Sequence, residues 1–512
     1  MSKPVFKFTL LIAVIISFWS LVTPIFEFPD EQAHIESVEY IANHGRMSDG
    51  KQLDMTKEMK LTQDYLGVFR DQYGNNRYTY HSDYTLDYTN SYIGKYEPAI
   101  QSLNNSDNRD IYIWKEAAQY PPLYYLYESF WYKLVADKDI IYRLYTLRVG
   151  NVLLASITAY LIYLIGIHLF HKRVYAQTLT ILVMLQPMYS FLSAGVNSDN
   201  LHNLLFTAIL YIGLLIVKSG FTTPTALSAL FFLVMDYYTK PQAFIAIPVL
   251  IFAYLLHIIK VKNWKMFRWL TAIGVIAFIF VLSPLNPYLS WVNSPNLKQT
   301  VFSDFLKFSL DKLLSQNIVW YWGVYKWLGV VLPPIYWQVA NRLVLLSAFG
   351  ILLYIWKVYK KKNVVVDIFS VMYMLLAITI YVTSIYYFDW QYHKTVGYSL
   401  GVQARYFFPA ISMQMGILMT GILSLGWSSK ITAWLRSGLV IFIFWMQLGG
   451  LWRLITSYYD TSSIGVFITQ VSQYKPWFAK GDMWFLWISL YALSIICLVI
   501  KTINSNQKTS NS

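Results

Sequence analysis

Apolar runs of near twenty residues, separated by short polar breaks, recur from one end of this chain to the other. Crossing a bilayer core takes about 20 helical residues. Candidate spans fall at 7–25, 144–169, 174–192, 201–217, 223–238, 242–259, 268–284, 339–356, 364–386, 406–426, 436–456 and 483–500. The chain therefore reads as an all-α polytopic membrane protein with about twelve transmembrane helices. Only 13% of its 512 residues are charged, about half the share of soluble domains.

The net charge of +14 does not point to nucleic acid, because no basic face lies on a soluble domain. Basic residues instead cluster between spans, at Lys172-Arg173, Lys260 to Arg268 and Lys357 to Lys362. Cytoplasmic loops carry this kind of excess. Threading the spans with Lys3 and Lys7 inside puts these clusters and both termini in the cytoplasm. The first run leads into Thr23-Pro24-Ile25 rather than a small-residue cleavage site, and reads as an uncleaved anchor. The lone cysteine, Cys497, permits no intrachain disulfide.

The long polar segments then all face outward: a first loop over 27–143 and a second over 285–338, with 501–512 as a cytoplasmic tail. Directly after the first span stands Pro29-Asp30-Glu31-Gln32-Ala33-His34, opening a helix that Gly45 stops. Asp30 and His34 share one face of it, and Ile35, Val38 and Ala42 another. Two acids at a helix start can simply favour its positive end. Held at a membrane boundary, partly desolvated, they can equally serve as a general base and its neighbour. The Leu123–Val135 segment is amphipathic and aromatic and is expected to lie on or dip into the membrane surface. The Tyr-rich stretch 78–96 suits stacking on sugar faces.

Arg405, between Gln403 and Tyr406, starts a late span on the side where basic residues are disfavoured. It either snorkels to the interface or holds a phosphate at headgroup depth, which its planar guanidinium suits. Lys240, ahead of Pro241, is a second outer cation, read either as a phosphate ligand or as a hairpin lysine. Arg143 reads as an ordinary loop residue. Arg148, with Asn151 three residues on, is placed toward the protein interior. Asn197 and Asp199 line the same cavity or cap the next span. The histidines are scattered, and no metal ligand set is assigned.

These motifs occur in a recognisable order. Pro-Asp-Glu-x-Ala-His at 29–34, Tyr-Pro-Pro-Leu-Tyr-Tyr at 120–125, Asn-x-Asp at 197–199, Lys240-Pro241, Trp322-Gly323 before Leu332-Pro333-Pro334, and Gly-x-Gln-x-Arg-Tyr-Phe-x-Pro at 401–409 resemble a large group of bacterial multipass proteins of formerly unknown function. That group is similar to the type C (GT-C) glycosyltransferase superfamily, and the likeness extends over about residues 8–500. Ala404 stands where the group usually has Gly.

The resemblance implies a GT-C-like fold in the bacterial cytoplasmic membrane, with its active site on the outer face and a polyprenyl-phosphate sugar as donor. Asp30 is then the base, since protein mannosyltransferases and aminoarabinose transferases show a similar acid pair, and Glu31 is its understudy. Arg405 and Lys240 hold the donor phosphate with Gln403 and Tyr406, while His34, Arg148, Asn197 and Asp199 support them. The acceptor is an envelope glycan or lipid-linked saccharide and the product is inverted. No cofactor is assigned, and a divalent cation is the one option left open. The alternative is a transporter or flippase of lipid-linked sugars, which would carry midplane charges, broken helices and paired halves.

Overall fold

The computed structural model describes residues 3–48, 55–71, 75–109, 120–266, 268, 302–399 and 401–503. Among these, nine helices are long and apolar enough to cross a membrane: Pro4–Val22, Ile140–Phe170, Asp199–Ser219, Pro241–Lys260, Pro334–Tyr359, Ile368–Val396, Ala404–Ser424, Ser429–Tyr458 and Met483–Thr502. The only strands in the described residues are the two-residue pair β1 (Val324–Tyr325) and β2 (Val330–Val331), which run antiparallel. The protein is all-α and polytopic.

Two of the twelve expected spans differ. The run 174–192 is broken into α-helices Arg173–Met184 and Pro187–Ser193. Pro187 supplies no amide donor, and Gln186 caps the second piece by accepting from Tyr189 N at 2.5 Å. The run 223–238 forms a single 15-residue helix, Thr223–Tyr237, shorter than a bilayer needs. The run 268–284 lies, apart from Arg268, outside the described residues, as do 285–301 of the second loop and 504–512 of the tail.

Spans approach closely where side chains are absent. A Cβ on Gly350 would stand 2.0 Å from Gly421 O, so only glycine lets Pro334–Tyr359 cross the Ala404–Ser424 helix at this depth. At one end of the bundle the basic side chains bond to helix-end carbonyls. Lys357 Nζ donates to Ser424 O (2.8 Å) and Gly426 O (2.7 Å), Arg436 Nη1 to Thr502 O (2.7 Å), and Lys501 Nζ to Pro4 O (3.2 Å).

The expected outer loops meet at the opposite end. Leu123 N donates to Tyr238 O (2.9 Å), Asn197 Nδ2 to Pro29 O (3.1 Å), Trp327 Nε1 to Phe26 O (3.1 Å) and Lys475 Nζ to Thr23 O (3.1 Å). The helix expected from Pro29 onward starts only at Glu31, because Asp30 ahead of it is left-handed (φ 60°); it stops as expected at Gly45, also left-handed (φ 67°), with its amide on Ile41 O at 2.8 Å. It is enclosed on nearly every side, polar faces included. Glu36 is held by Arg109 (3.0 Å), and Glu39 stands 3.9 Å from Arg143. Helix Leu123–Lys133 buries Tyr124, Tyr125, Glu128 and Tyr132 and exposes the apolar row Leu126, Phe130 and Leu134.

Candidate functional site

Asp30 sits between the first span and the helix that Glu31 begins, with left-handed backbone (φ 60°, ψ 14°) and no capping hydrogen bond from its side chain. Asp is among the few residues that tolerate this conformation. The carboxylate caps no helix amide. It turns instead to two cations: Arg405 Nη2 donates to Oδ2 at 2.8 Å and Arg70 Nη2 to Oδ1 at 3.1 Å. Burial opposes ionisation of Asp30, but the Arg405 and Arg70 charges outweigh it and hold the carboxyl below the usual carboxylate range.

Asp30, Arg70, Gln403, Arg405, Tyr406 and Trp327 line one cavity of about 390 Å³. Arg405 is 5% exposed, and its guanidinium carbon lies 5.3 Å from the Tyr406 ring centroid. Only one of its nitrogens meets a carboxylate. Nε and Nη1 are buried without an acceptor among the described residues. Leaving such donors unmet costs about 1–3 kcal/mol or more each, a cost that an anion bound to the guanidinium would relieve.

No motif in the sequence marks Arg70. It follows the α-helix Lys57–Leu66, whose end is set by Gly67 (φ 64°), and Gln32 Nε2 ties the turn down through Val68 O (3.3 Å). Its guanidinium carbon lies 5.3 Å from the Trp327 ring. Trp327 is the middle of three consecutive left-handed residues, Lys326, Leu328 and itself (φ 50–65°), in the turn between β1 and β2. Such backbone is costly for non-glycine residues and persists only where the surroundings over-determine it. Here Tyr80 N donates to Trp327 O (3.0 Å), and Lys326 Nζ to Ser82 O (2.8 Å) and Ser457 O (3.0 Å). The sole signal for Arg70 in the sequence is that it, too, is an outer basic residue, a weak mark in so long a loop.

Glu31, adjacent to Asp30, faces away from the cavity. Arg148 grips it with both arms of its fork, Nε to Oε1 at 2.8 Å and Nη2 to Oε2 at 2.7 Å, and Phe26 N adds 3.0 Å. Arg148 thus lies inside the protein as expected, its Nη1 on Ser20 O and Thr23 O. Gly195 lets the 194–198 turn close over this pair. A Cβ there would stand 2.2 Å from the Phe28 ring, and Val196 N reaches Glu31 Oε1 at 3.3 Å.

The remaining candidates form a layer beside the cavity. Lys240 pairs with Asp199 and lies 4.6 Å from the Tyr120 ring centroid. Asn197 accepts from Asp199 N at 2.8 Å, so it shapes the turn into the span and tethers Pro29. His34 Nδ1 shares a hydrogen bond with the Tyr125 hydroxyl at 3.0 Å. Burial, opposed in part by Asp30, pushes the ring down to about 3, so it is neutral at physiological pH. Arg143 is no ordinary loop residue. It is 2% exposed, pairs with Glu58, and donates to the Tyr132 hydroxyl at 2.7 Å. Of the Tyr-rich stretch, Tyr80 reaches the cavity, while Tyr78 is buried. Among the described residues no group of three or more His, Cys, Asp or Glu is placed to hold a metal ion.

The fold and site thus define a polytopic helical membrane protein with a charged, aromatic-lined cavity at one end of its helices. A family model described as "Predicted membrane protein (DUF2142)" matches residues 12–413, and the chain belongs to that family. No curated protein matches it. Among solved structures, ArnT from Cupriavidus metallidurans in the apo state is similar at 13% identity and a TM-score of 0.37, over 98% of this chain and 78% of that one.

Proposed function

We propose that this protein is an integral-membrane glycosyltransferase that moves a sugar from a polyprenyl-phosphate donor to an envelope glycan or lipid-linked acceptor on the outer side of the cytoplasmic membrane. The observation that carries the reading is Arg405. It lines a cavity and meets Asp30 with one nitrogen, while its other two nitrogens are buried and lack acceptors among the described residues. A base and an anion ligand in contact are what transfer from a phosphate leaving group requires. Asp30 takes the proton of the acceptor hydroxyl, whose oxygen forms the new bond to the anomeric carbon. The bond from that carbon to the phosphate oxygen breaks, its electron pair leaving with the polyprenyl phosphate, which Arg405 neutralises. One displacement inverts the anomeric centre.

Mass spectrometry of envelope glycans from cells carrying the wild type, Asp30→Asn, Arg405→Gln or no protein tests this. The two variants are expected to accumulate in the membrane at wild-type level and to lack the sugar mass that the deletion lacks. An intact glycan in both variants, with loss only in the deletion, overturns the reading.

A further inference from the structure

Both oxygens of Asp30 are engaged by guanidinium groups, which poses a problem for a base. A general base works best with a pKa near the working pH, and Asp30 between Arg70 and Arg405 is held far on the acidic side of that. Something must relax one of the two contacts when the reaction begins. The two arginines are not equivalent. Arg70 is fixed by the capped turn at Gly67, by Gln32 through Val68 O, and by the ring of Trp327, itself anchored to Phe26 O. Arg405 also lines the cavity, and its Nε and Nη1 are buried without an acceptor among the described residues.

We propose that Asp30 and Arg405 form a latch, closed in the empty protein, which the phosphate group of the lipid-linked donor opens, with Arg70 as the positioning residue that keeps Asp30 in place. The inference rests on the glycosyltransferase reading above and adds an order of events to it. An arriving phosphate offers Arg405 more negative charge and more acceptor oxygens than one carboxylate oxygen does, and a planar guanidinium binds it in bidentate fashion. Arg405 turns to it, and Oδ2 of Asp30 is released toward the acceptor. Because Asp30 then loses the larger of its two cationic restraints, its basicity rises only once the donor is seated. The acceptor binds second, and the empty protein holds no active base in contact with water.

The latch makes a prediction of unusual direction. Polyprenyl phosphate binding to the full-length protein in zwitterionic lipid nanodiscs is measured for wild type, Asp30→Asn and Arg405→Gln. Asp30→Asn frees Arg405 from its competitor and is expected to tighten binding about tenfold, whereas Arg405→Gln weakens it at least as much. Infrared difference spectra of the wild type labelled with ¹³C-aspartate supply a second readout that needs no variant to fold. Saturating polyprenyl phosphate is expected to shift one aspartate carboxylate band. Inorganic phosphate at the same concentration forms a parallel arm: a shift with the lipid alone assigns the opening to the lipid-linked donor, and a shift with both assigns it to the phosphate group itself. Binding that is lost in Arg405→Gln but unchanged or weaker in Asp30→Asn, with no band shift in the wild type, overturns the latch and leaves the transferase reading standing. Binding that Arg405→Gln leaves intact overturns both.

Discussion

Glu31 and Arg148 meet as a two-armed ion pair, at 2.7 and 2.8 Å, and solvent reaches neither side chain. The residue before Glu31 has the same chemistry and a different fate, for the Asp30 side chain keeps 25% of its surface exposed at the cavity. One acid therefore holds the first span to the second, and its neighbour faces the cavity. Removing one partner of a buried pair leaves an uncompensated charge, which costs about 3–5 kcal/mol. Glu31→Gln and Arg148→Met are expected to lower the thermal midpoint of the detergent-purified protein sharply, and Asp30→Asn, at a partly exposed side chain, to lower it less. Equal losses in all three would show that the two acids share one structural role.

Glu27 gives the fold a pH dependence of its own. Its side chain is fully buried, Oε2 accepts from the Tyr458 hydroxyl at 2.8 Å, and Oε1 meets no donor among the described residues. Burial pushes its carboxyl up to about 8 from 4.5, against the opposing effects of Tyr458 and Lys326. The folded state then holds a proton that the unfolded state has lost, so stability falls as pH rises between about 4.5 and 8, by at most about 1.4 kcal/mol per unit. Glu27→Gln cannot ionise. Its advantage over the wild type in thermal unfolding is expected to widen from pH 5 to pH 8 and to stay level above that. A gap independent of pH would mean that Glu27 is already ionised in the fold.

Much of this is legible in the residue types alone. Long apolar runs and the placement of basic residues identify spans because hydrocarbon punishes any other arrangement. Two calculable breaks in that pattern, Pro187 and the short run at 223–238, also carried their signals in plain residue types. Asp30 and Arg405 stood out for the same electrostatic reason, each charged where charge is disfavoured. Which acid faces the cavity was not legible, since Asp30 and Glu31 are chemically alike and only the left-handed turn at Asp30 parts them. Arg70 and Trp327, 257 positions apart, meet through tertiary packing that no local pattern encodes. Arg143, the fourth residue of a span helix, passed for a loop residue because Glu58, its partner, lies in a distant part of the first loop.

The strained turn at 326–328 offers a way to disturb Arg70 without touching any charge. Trp327 supplies both the ring beside Arg70 and the Nε1 donor to Phe26 O. Trp327→Phe keeps a ring and loses the hydrogen bond, while Trp327→Ala loses both and leaves three left-handed residues with less to hold them. Sugar transfer is expected to fall modestly in the first variant and by roughly tenfold or more in the second, since small misplacements at an active site are costly. Membrane accumulation is the control. Equal activity in the two variants would show that the ring has no bearing on Arg70.

Lys240 and Asp199 form a nearly buried pair, with 4% and 11% of their side-chain surfaces exposed. Neither lines the cavity that holds Asp30 and Arg405. If the lysine acts mainly on this aspartate, Lys240→Met leaves a buried carboxylate unpaired and costs about 3–5 kcal/mol, and adding Asp199→Asn restores much of the loss. A lysine that gripped the donor phosphate would behave otherwise, since its replacement would weaken polyprenyl phosphate binding whether or not Asp199 was neutralised. Thermal unfolding and phosphate binding on the two single variants and the double variant separate these roles. The expected outcome is a recovered midpoint in the double variant, with its affinity within about twofold of the wild type. Affinity lost in the double variant as fully as in Lys240→Met would move Lys240 beside Arg405 as a ligand of the leaving group.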